Sequence, residues 1–316
     1  MVISVVIPSK NGLHHLKECL PTVIKAAENA SDKVNVIVVD DCSDDNTYSE
    51  LPKLFPSVMC LRTTLENKGV CSAKNIGTTA KDCDWICNLD NDVFLEPDFF
   101  NTLKKYMRDD VFAISCCGYA AYPKVPNTEE QNDGVKLFHW KRGFPRFTEN
   151  IKNDKLDLNK EYECVGGQGA YLIVNRKWYD LLGGFCSLFN PYLLEETDFL
   201  YRGLKRGGKI IYASDTKPRH KCGGTIQSKT SPFTKFLSKR NRILFVWKNI
   251  HDSKLLLSSL FWTIINPAPK ALFACLKMLP EILKKRKIER RSMKVTDADL
   301  LKRSKDIEDS IGKTNN

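Results

Sequence analysis

The 316-residue sequence has no CxxC pair, and none of its 12 cysteines stands with histidines at zinc-finger spacing. That removes structural zinc modules and thioredoxin-like redox chemistry. Neither GxxxxGK[ST] nor GxGxxG occurs, so an ATP-type P-loop and a dinucleotide fold both lack their motif. No run of ~18–20 apolar residues is present to cross a bilayer. The opening MVISVVIPSK has no basic start followed by a long apolar stretch, so a secretory signal is not evident. Cys87, Cys116 and Cys164 sit inside apolar runs, where free cysteine acts as a small hydrophobe. The expectation is a reduced, cytoplasmic protein.

What is present is a folded mixture, 42% hydrophobic and 28% charged, which excludes wholesale disorder. The net charge of +11 is unevenly placed. Residues 1–232 carry 30 Lys/Arg and 30 Asp/Glu, whereas residues 233–303 carry 17 and 5. A neutral domain with a basic C-terminal segment points to a local anionic partner and not to a nucleic-acid coat. Three divisions follow: a neutral main domain over 1–232, a basic amphipathic helical segment over 233–296, and a polar, frayed tail over 297–316.

Residues 2–118 alternate in a βα rhythm. Strands are expected at Val2–Ile7, Val34–Val39, Val58–Leu61, Trp85–Leu89 and Val111–Cys116, and helices at Leu13–Ala30, Val70–Ala80 and Asp98–Met107. This predicts an α/β fold with a mostly parallel sheet and helices on both faces. Ligands bind such sheets beyond the carboxyl ends of the strands. Gly118–Glu163 reads as a long loop, and regular structure resumes at Cys164–Val174, Arg176–Leu182, Glu195–Arg206 and Lys209–Ala213.

Chemistry-bearing residues gather where strands end. Leu89-Asp90-Asn91-Asp92-Val93 places two carboxylates at i and i+2 after a buried strand. Hard oxygen donors suit Mg²⁺ or Mn²⁺, although an Asx-turn has the same sequence. Val39-Asp40-Asp41-Cys42-Ser43 offers an acid to a base or ribose. Asn67-Lys68-Gly69-Val70 opens a helix whose N-terminus can face an anion, with Lys74 and Asn75 further along. Glu195, Glu196 and Asp198 cluster at a helix start, where acids favour the dipole and can also serve as a general base. His220 lies in a glycine-rich setting, His220-Lys221-Cys222-Gly223-Gly224-Thr225.

In this order and spacing, VVIPSKNG, VVDDCSDD, NKGVCSAKNIG, LDNDVFLEPDF, EETDFLYRGLKRGG and HKCGGT resemble the family 2 glycosyltransferases of GT-A fold over about residues 2–250. Lys239-Arg240-Asn241-Arg242-Ile243 and Trp247-Lys248-Asn249 look like the bacterial rhamnosyltransferase-like branch. The resemblance implies that Pro8, Ser9, Asn11, Asp40 or Asp41, Asn67, Gly69, Lys74, Asp90 and Asn91 bind a nucleotide-sugar. Asp90, Asp92 and His220 would hold the metal. The family's Glu-Asp pair aligns with Glu195-Glu196, so the base is divided among Glu196, Glu195 and Asp198. The implied reaction is inverting, metal-dependent transfer from a UDP-, dTDP- or GDP-sugar to a glycan or polyprenyl-linked acceptor. Polysaccharide and cell-envelope assembly is the setting it implies.

Beyond Thr234, an apolar stretch (Leu255–Ile265) and a segment with apolar positions at helical spacing (Lys270–Leu283) alternate with Lys/Arg clusters such as Lys284-Lys285-Arg286-Lys287. This pattern suits peripheral attachment to the inner face of the cell membrane. A homodimer would hide the same apolar surface. The long aliphatic runs disfavour nucleic acid. Two rivals remain: an inert GT-A scaffold binding glycan or proteins, and a sugar-phosphate nucleotidyltransferase. The second normally carries a glycine-rich basic loop where Pro8-Ser9-Lys10-Asn11-Gly12 stands.

Overall fold

The computed structural model describes residues 1–124, 128–221 and 231–312. Its first half runs β1 (Val2–Ser9), α1 (Leu13–Glu28), β2 (Lys33–Asp40), α2 (Thr47–Leu54), β3 (Met59–Arg62), α3 (Val70–Thr79), β4 (Trp85–Leu89), β5 (Val93–Phe94), α4 (Phe99–Leu103), β6 (Ala113–Cys116) and β7 (Tyr119–Ala120). The second half runs β8 (Val135–Lys141), β9 (Phe144–Ile151), β10 (Tyr162–Cys164), β11 (Tyr171–Asn175), α5 (Arg176–Leu182), α6 (Glu195–Lys205), β12 (Ile210–Ala213), β13 (Arg219–His220) and helices α7 (Pro232–Asn249), α8 (Ser253–Ile265), α9 (Pro269–Lys277), α10 (Leu279–Ser292) and α11 (Asp297–Gly312).

Eight strands form one sheet in the order β10-β12-β6-β11-β4-β1-β2-β3. Pairings β1–β2, β1–β4, β2–β3 and β6–β12 are parallel. Strand β11 enters antiparallel to both β4 and β6, and β10 runs antiparallel to β12. The β-branched run of β1 is buried on both faces, as a central strand requires. Ile3, Val5 and Ile7 share a core with Leu16, Leu20 and Val23 of α1. The alternate residue Val6 joins Ile37, Val39, and Cys71 and Ala73 of α3 on the other face.

The second core continues without a break into the C-terminal helices. Leu244, Phe245 and Val246 of α7, Cys275 of α9, Ile282 of α10 and Leu300 of α11 belong to it. These helices are packed structure and not a detached appendage.

Two sequence expectations are corrected. Gly118–Glu163 is not one long loop, because β8 and β9 pair antiparallel within it. Val135, Leu137 and Phe138 are buried there. A register shift between Leu137 and His139 breaks the period-two alternation that would have announced a strand. The polar tail is not frayed over its described part. Asp297, Leu300, Ser304 and Ile311 of α11 are buried, and Ser304 Oγ accepts the Phe138 amide of β8 at 2.8 Å. Asp297 also accepts from Tyr201, Lys205 and the amides of His251 and Asp252.

Candidate active site

The carboxyl ends of β1, β2 and β4 meet along one edge of the sheet, and Asp90 is the first residue past β4. Its amide donates to Ala170 O at 2.8 Å, and its carbonyl accepts from Val93 at 3.3 Å, closing a tight turn. Asp92 leads directly into β5. Strand β13 pairs antiparallel with β5, setting His220 opposite Val93. This register brings His220 Nε2 to 3.0 Å from Asp92 Oδ1. One ligand atom from each of Asp90, Asp92 and His220 lies within 4.8 Å of the others.

A donor set of two carboxylates and an imidazole fits a hard or borderline divalent ion. The electrostatics point the same way. Asp90 has its pKa raised, first by burial, against the lowering pull of Lys74 and His220. Asp92, Glu195 and Glu196 crowd the same region, with Lys74 among them. The cluster therefore carries more negative than positive charge, which a cation would offset.

The three acids of α6 have different surroundings. Glu195 is buried, and its Oε1 takes the Lys74 ammonium at 3.1 Å. Burial alone would lower the Lys74 pKa, but Glu195, Asp90 and Glu196 raise it, so the ammonium stays charged. Asp198 is fully buried. It accepts from Arg202 at 2.9 Å, Lys248 at 2.7 Å and Asn249 at 2.8 Å. Burial would raise its pKa, yet Lys248 and Arg202 hold it below the usual value. That network is a brace between α6 and α7 and occupies both carboxylate oxygens of Asp198. Glu196 is partly buried, and no Lys or Arg forms an ion pair with it among the described residues. Burial first, then the Glu195 charge, push its pKa up to about 7. A carboxylate that titrates near neutrality is suited to proton transfer. A Cβ on Gly169 would stand 2.9 Å from Glu196 Cγ, so glycine leaves room for this side chain.

The residues expected to hold the nucleotide line the adjoining loops. Pro8, next to last in β1, is partly buried, and Ser9 Oγ at the strand's end accepts from Asn91 Nδ2 at 2.8 Å. Asn11, at φ 51°, accepts the Asp44 amide at 2.7 Å. Asp40 is fully buried, with Oδ2 3.0 Å from Arg62 Nε. Asp41 accepts the Gly69 amide at 2.7 Å and Thr63 Oγ1 at 3.0 Å. Asp40 Oδ1 and Glu195 Oε2 are buried with no hydrogen-bond partner among the described residues.

One expectation here is corrected. The N-terminus of α3 is not open to an anion. Its Val70 amide donates to Pro191 O at 2.9 Å, and its Cys71 amide to Asn190 Oδ1 at 3.0 Å. The Gly69 amide is already on Asp41, and Asn67 Oδ1 takes Ser72 Oγ at 2.7 Å. Gly69 has φ 116°, and a Cβ there would lie 2.4 Å from Asn190 Cγ. Lys74 is likewise turned inward to Glu195.

Sequence reading gave no site role to the residues that tie these loops together. Asn190 joins α3 to the segment ahead of α6. Arg240 Nη2 donates to Asn190 O at 2.7 Å. Asn241, fully buried, donates to Tyr192 O at 3.0 Å and Leu193 O at 2.6 Å. Leu193 and Leu194 hold positive φ of 78° and 66°, a conformation that costs a leucine energy. Lys136 of β8 reaches Gln168 Oε1 and Asp133 Oδ1, each at 3.3 Å. The cluster Gly166-Gly167-Gln168-Gly169 was the available signal for a close approach. Cys222–Thr225 of the late motif lie outside the described residues.

The model for Glycosyl transferase family 2 matches residues 4–182. An uncharacterized glycosyltransferase of Haemophilus influenzae is 29% identical over 214 residues, spanning 65% of this chain and 62% of its own. Glycosyltransferase GlyA of Streptococcus pneumoniae is 25% identical over 200 residues, 62% of this chain and 25% of its own. The chain thus matches under two thirds of either relative's length. Among solved structures, GalNAc-T7 with UDP, GalNAc and Mn²⁺ superposes with a TM-score of 0.63 at 18% identity, covering 80% of this chain and 49% of that one. The mannosyltransferase PcManGT of Pyrobaculum calidifontis with GDP-Man and Mn²⁺ gives 0.54 at 16% identity, covering 88% and 75%. At such identities the likeness speaks to fold alone, and the fold is GT-A.

Proposed function

The chain belongs to glycosyl transferase family 2, and from that premise we propose that it moves a sugar from a nucleotide-sugar to an acceptor hydroxyl in one inverting displacement. The observation that carries this is the pairing of two unlike sites. Asp90, Asp92 and His220 form a cation-type cluster, and Glu196 stands nearby with a pKa near neutrality.

Asp41, which follows β2 and has its Oδ1 taken by Gly69 and Thr63, is the acid proposed for the nucleotide base, because Asp40 is still more deeply buried and paired with Arg62. Pro8, Ser9 and Asn11 form the wall beside it. Asp90, Asp92 and His220 would hold a divalent cation, Mg²⁺ or Mn²⁺, which would neutralise charge on the donor diphosphate. Glu196 accepts the proton of the attacking hydroxyl. The acceptor oxygen bonds to the anomeric carbon as the carbon–oxygen bond to the diphosphate breaks, and the electron pair leaves with the nucleoside diphosphate. Glu195 is committed to Lys74 and Asp198 to Lys248 and Arg202. One acid is then left to act as base, and none as a second nucleophile. The acceptor in this reading is a lipid-linked or cell-surface glycan met at the inner face of the membrane.

The test is thermal stability in the presence of UDP-, dTDP- and GDP-sugars, with and without Mn²⁺ or Mg²⁺, for wild type and Asp92→Ala. A ligand that binds only the folded state raises Tm. A rise with one nucleotide family that needs metal and vanishes in Asp92→Ala supports the proposal. No rise with any donor, on folded protein, turns the reading to an inert GT-A scaffold.

A further inference from the structure

Helix α8 is turned inside out. Its one buried residue is Ser259. Leu257, Leu260, Phe261, Ile264 and Ile265 are exposed, from 52% for Ile265 to 69% for Ile264. These positions follow the i, i+3, i+4, i+7, i+8 spacing of one helical face. In a water-facing helix that face would be the polar one. Phe273 and Leu276 of α9 are exposed as well.

The surface is fixed to the domain. Leu255 and Leu256 pack on the core. Trp140 Nε1 donates to Ser258 Oγ at 3.3 Å. Gly143, at the β8–β9 turn, is so close that a Cβ would lie 2.9 Å from Ser258 O and 2.8 Å from Trp262 Cβ.

Basic side chains accompany it. Lys254, Lys270, Lys277, Lys284, Lys285 and Lys287 are exposed on α8, α9 and α10. The Lys277 ammonium is 4.6 Å from the Phe273 ring centroid.

We propose that the outward face of α8 and α9 docks on an anionic lipid bilayer. This deepens the reading above, since it rests on an acceptor met at a membrane and names the lipid that receives the enzyme. Helix α8 has 13 residues, or ~20 Å of length, against a hydrocarbon core of ~30 Å. No helix among the described residues is long and apolar enough to cross a membrane. The face therefore lies in the interface, with its aliphatic side chains among the acyl chains and its lysines at the headgroups. A second copy of the chain fits less well, because a two-fold contact would bring two lysine-bearing surfaces together.

The experiment is sedimentation of the full chain with vesicles. One set is phosphatidylcholine alone, and the other is equal parts phosphatidylcholine and phosphatidylglycerol. Wild type should pellet with the mixed vesicles and be released by salt. The Phe261→Glu, Ile264→Glu double variant should bind about tenfold less or worse, with an unchanged melting temperature. Equal binding by wild type and variant overturns the proposal. So does a wild type that ignores both vesicles, or one that forms a dimer which the double variant dissolves. Vesicle binding needs no nucleotide. A failed donor test with intact vesicle binding therefore counts against the transferase reading alone, and the converse result counts against the docking alone.

Discussion

Lys74 Nζ stands 3.1 Å from Glu195 Oε1, with both side chains buried, and this pair separates the roles of two adjacent acids. Glu195 spends its charge on Lys74. Glu196, one residue on and without a lysine or arginine of its own among the described residues, keeps a carboxylate that burial and Glu195 make easy to protonate.

Glu196→Gln should abolish sugar transfer and preserve donor binding. General base catalysis contributes ~10²–10⁴-fold, so kcat should fall by about that factor. Calorimetric titration with nucleotide and metal should remain near wild type.

The pH dependence follows from the same group. With Glu196 as the proposed base, transfer needs it ionised, so kcat should rise with pH through about 7 and then level off. Glu195→Gln removes the neighbouring negative charge and frees Lys74. Both changes favour ionised Glu196, so the ascending limb should move to lower pH. For stability the sign is opposite. A carboxyl raised from 4.5 to about 7 binds its proton more tightly when folded, so its contribution is full below pH 4.5 and lost as pH rises through about 7. Chemical denaturation across that range, compared with Glu196→Gln, reads this difference.

His220→Ala should weaken Mn²⁺ binding by at least the ~10–100-fold that loss of a ligand-orienting group costs. The fold should survive, since His220 is only partly buried on the short strand β13. Metal titration followed by Tm checks it.

Asp198→Ala should behave as a structural lesion. It strands Lys248 and Arg202, both buried, beside an empty position. Breaking a buried ion pair from one side costs ~3–5 kcal/mol, readable as a large drop in Tm. Because its folded pKa is depressed, the stability Asp198 adds is present near neutrality and is lost as pH falls through the folded value.

Asn241→Ala should both destabilise and slow the enzyme. It removes donors to Tyr192 O and Leu193 O beside the two positive-φ leucines. Losing two part-buried hydrogen bonds of this kind costs about 1 kcal/mol each. With the segment ahead of Glu196 loosened, kcat should fall well below the unfolding temperature, while metal binding at Asp90, Asp92 and His220 is kept.

The alternation of buried strands and amphipathic helices in residues 2–118 was written in local periodicity. So were the acids placed at strand ends, because side-chain period and turn chemistry act over a few residues. Strand β8 escaped because its bulge breaks the alternation. Helix α11 escaped because polar composition hides the few positions, Leu300, Ser304 and Ile311, that meet the core.

The sequence alone determined which groups are available: two carboxylates after β4, three acids at the start of α6, a late histidine and a lysine-rich end. Tertiary structure decided which partners each one meets. The β13–β5 register brings His220, 128 positions beyond Asp92, to within 3.0 Å of it. The packing of α3 on α6 gives Lys74 to Glu195, and that of α7 on α6 gives Lys248 to Asp198. Burial and neighbouring charge set the proton affinity of a carboxylate, and both depend on partners distant in sequence.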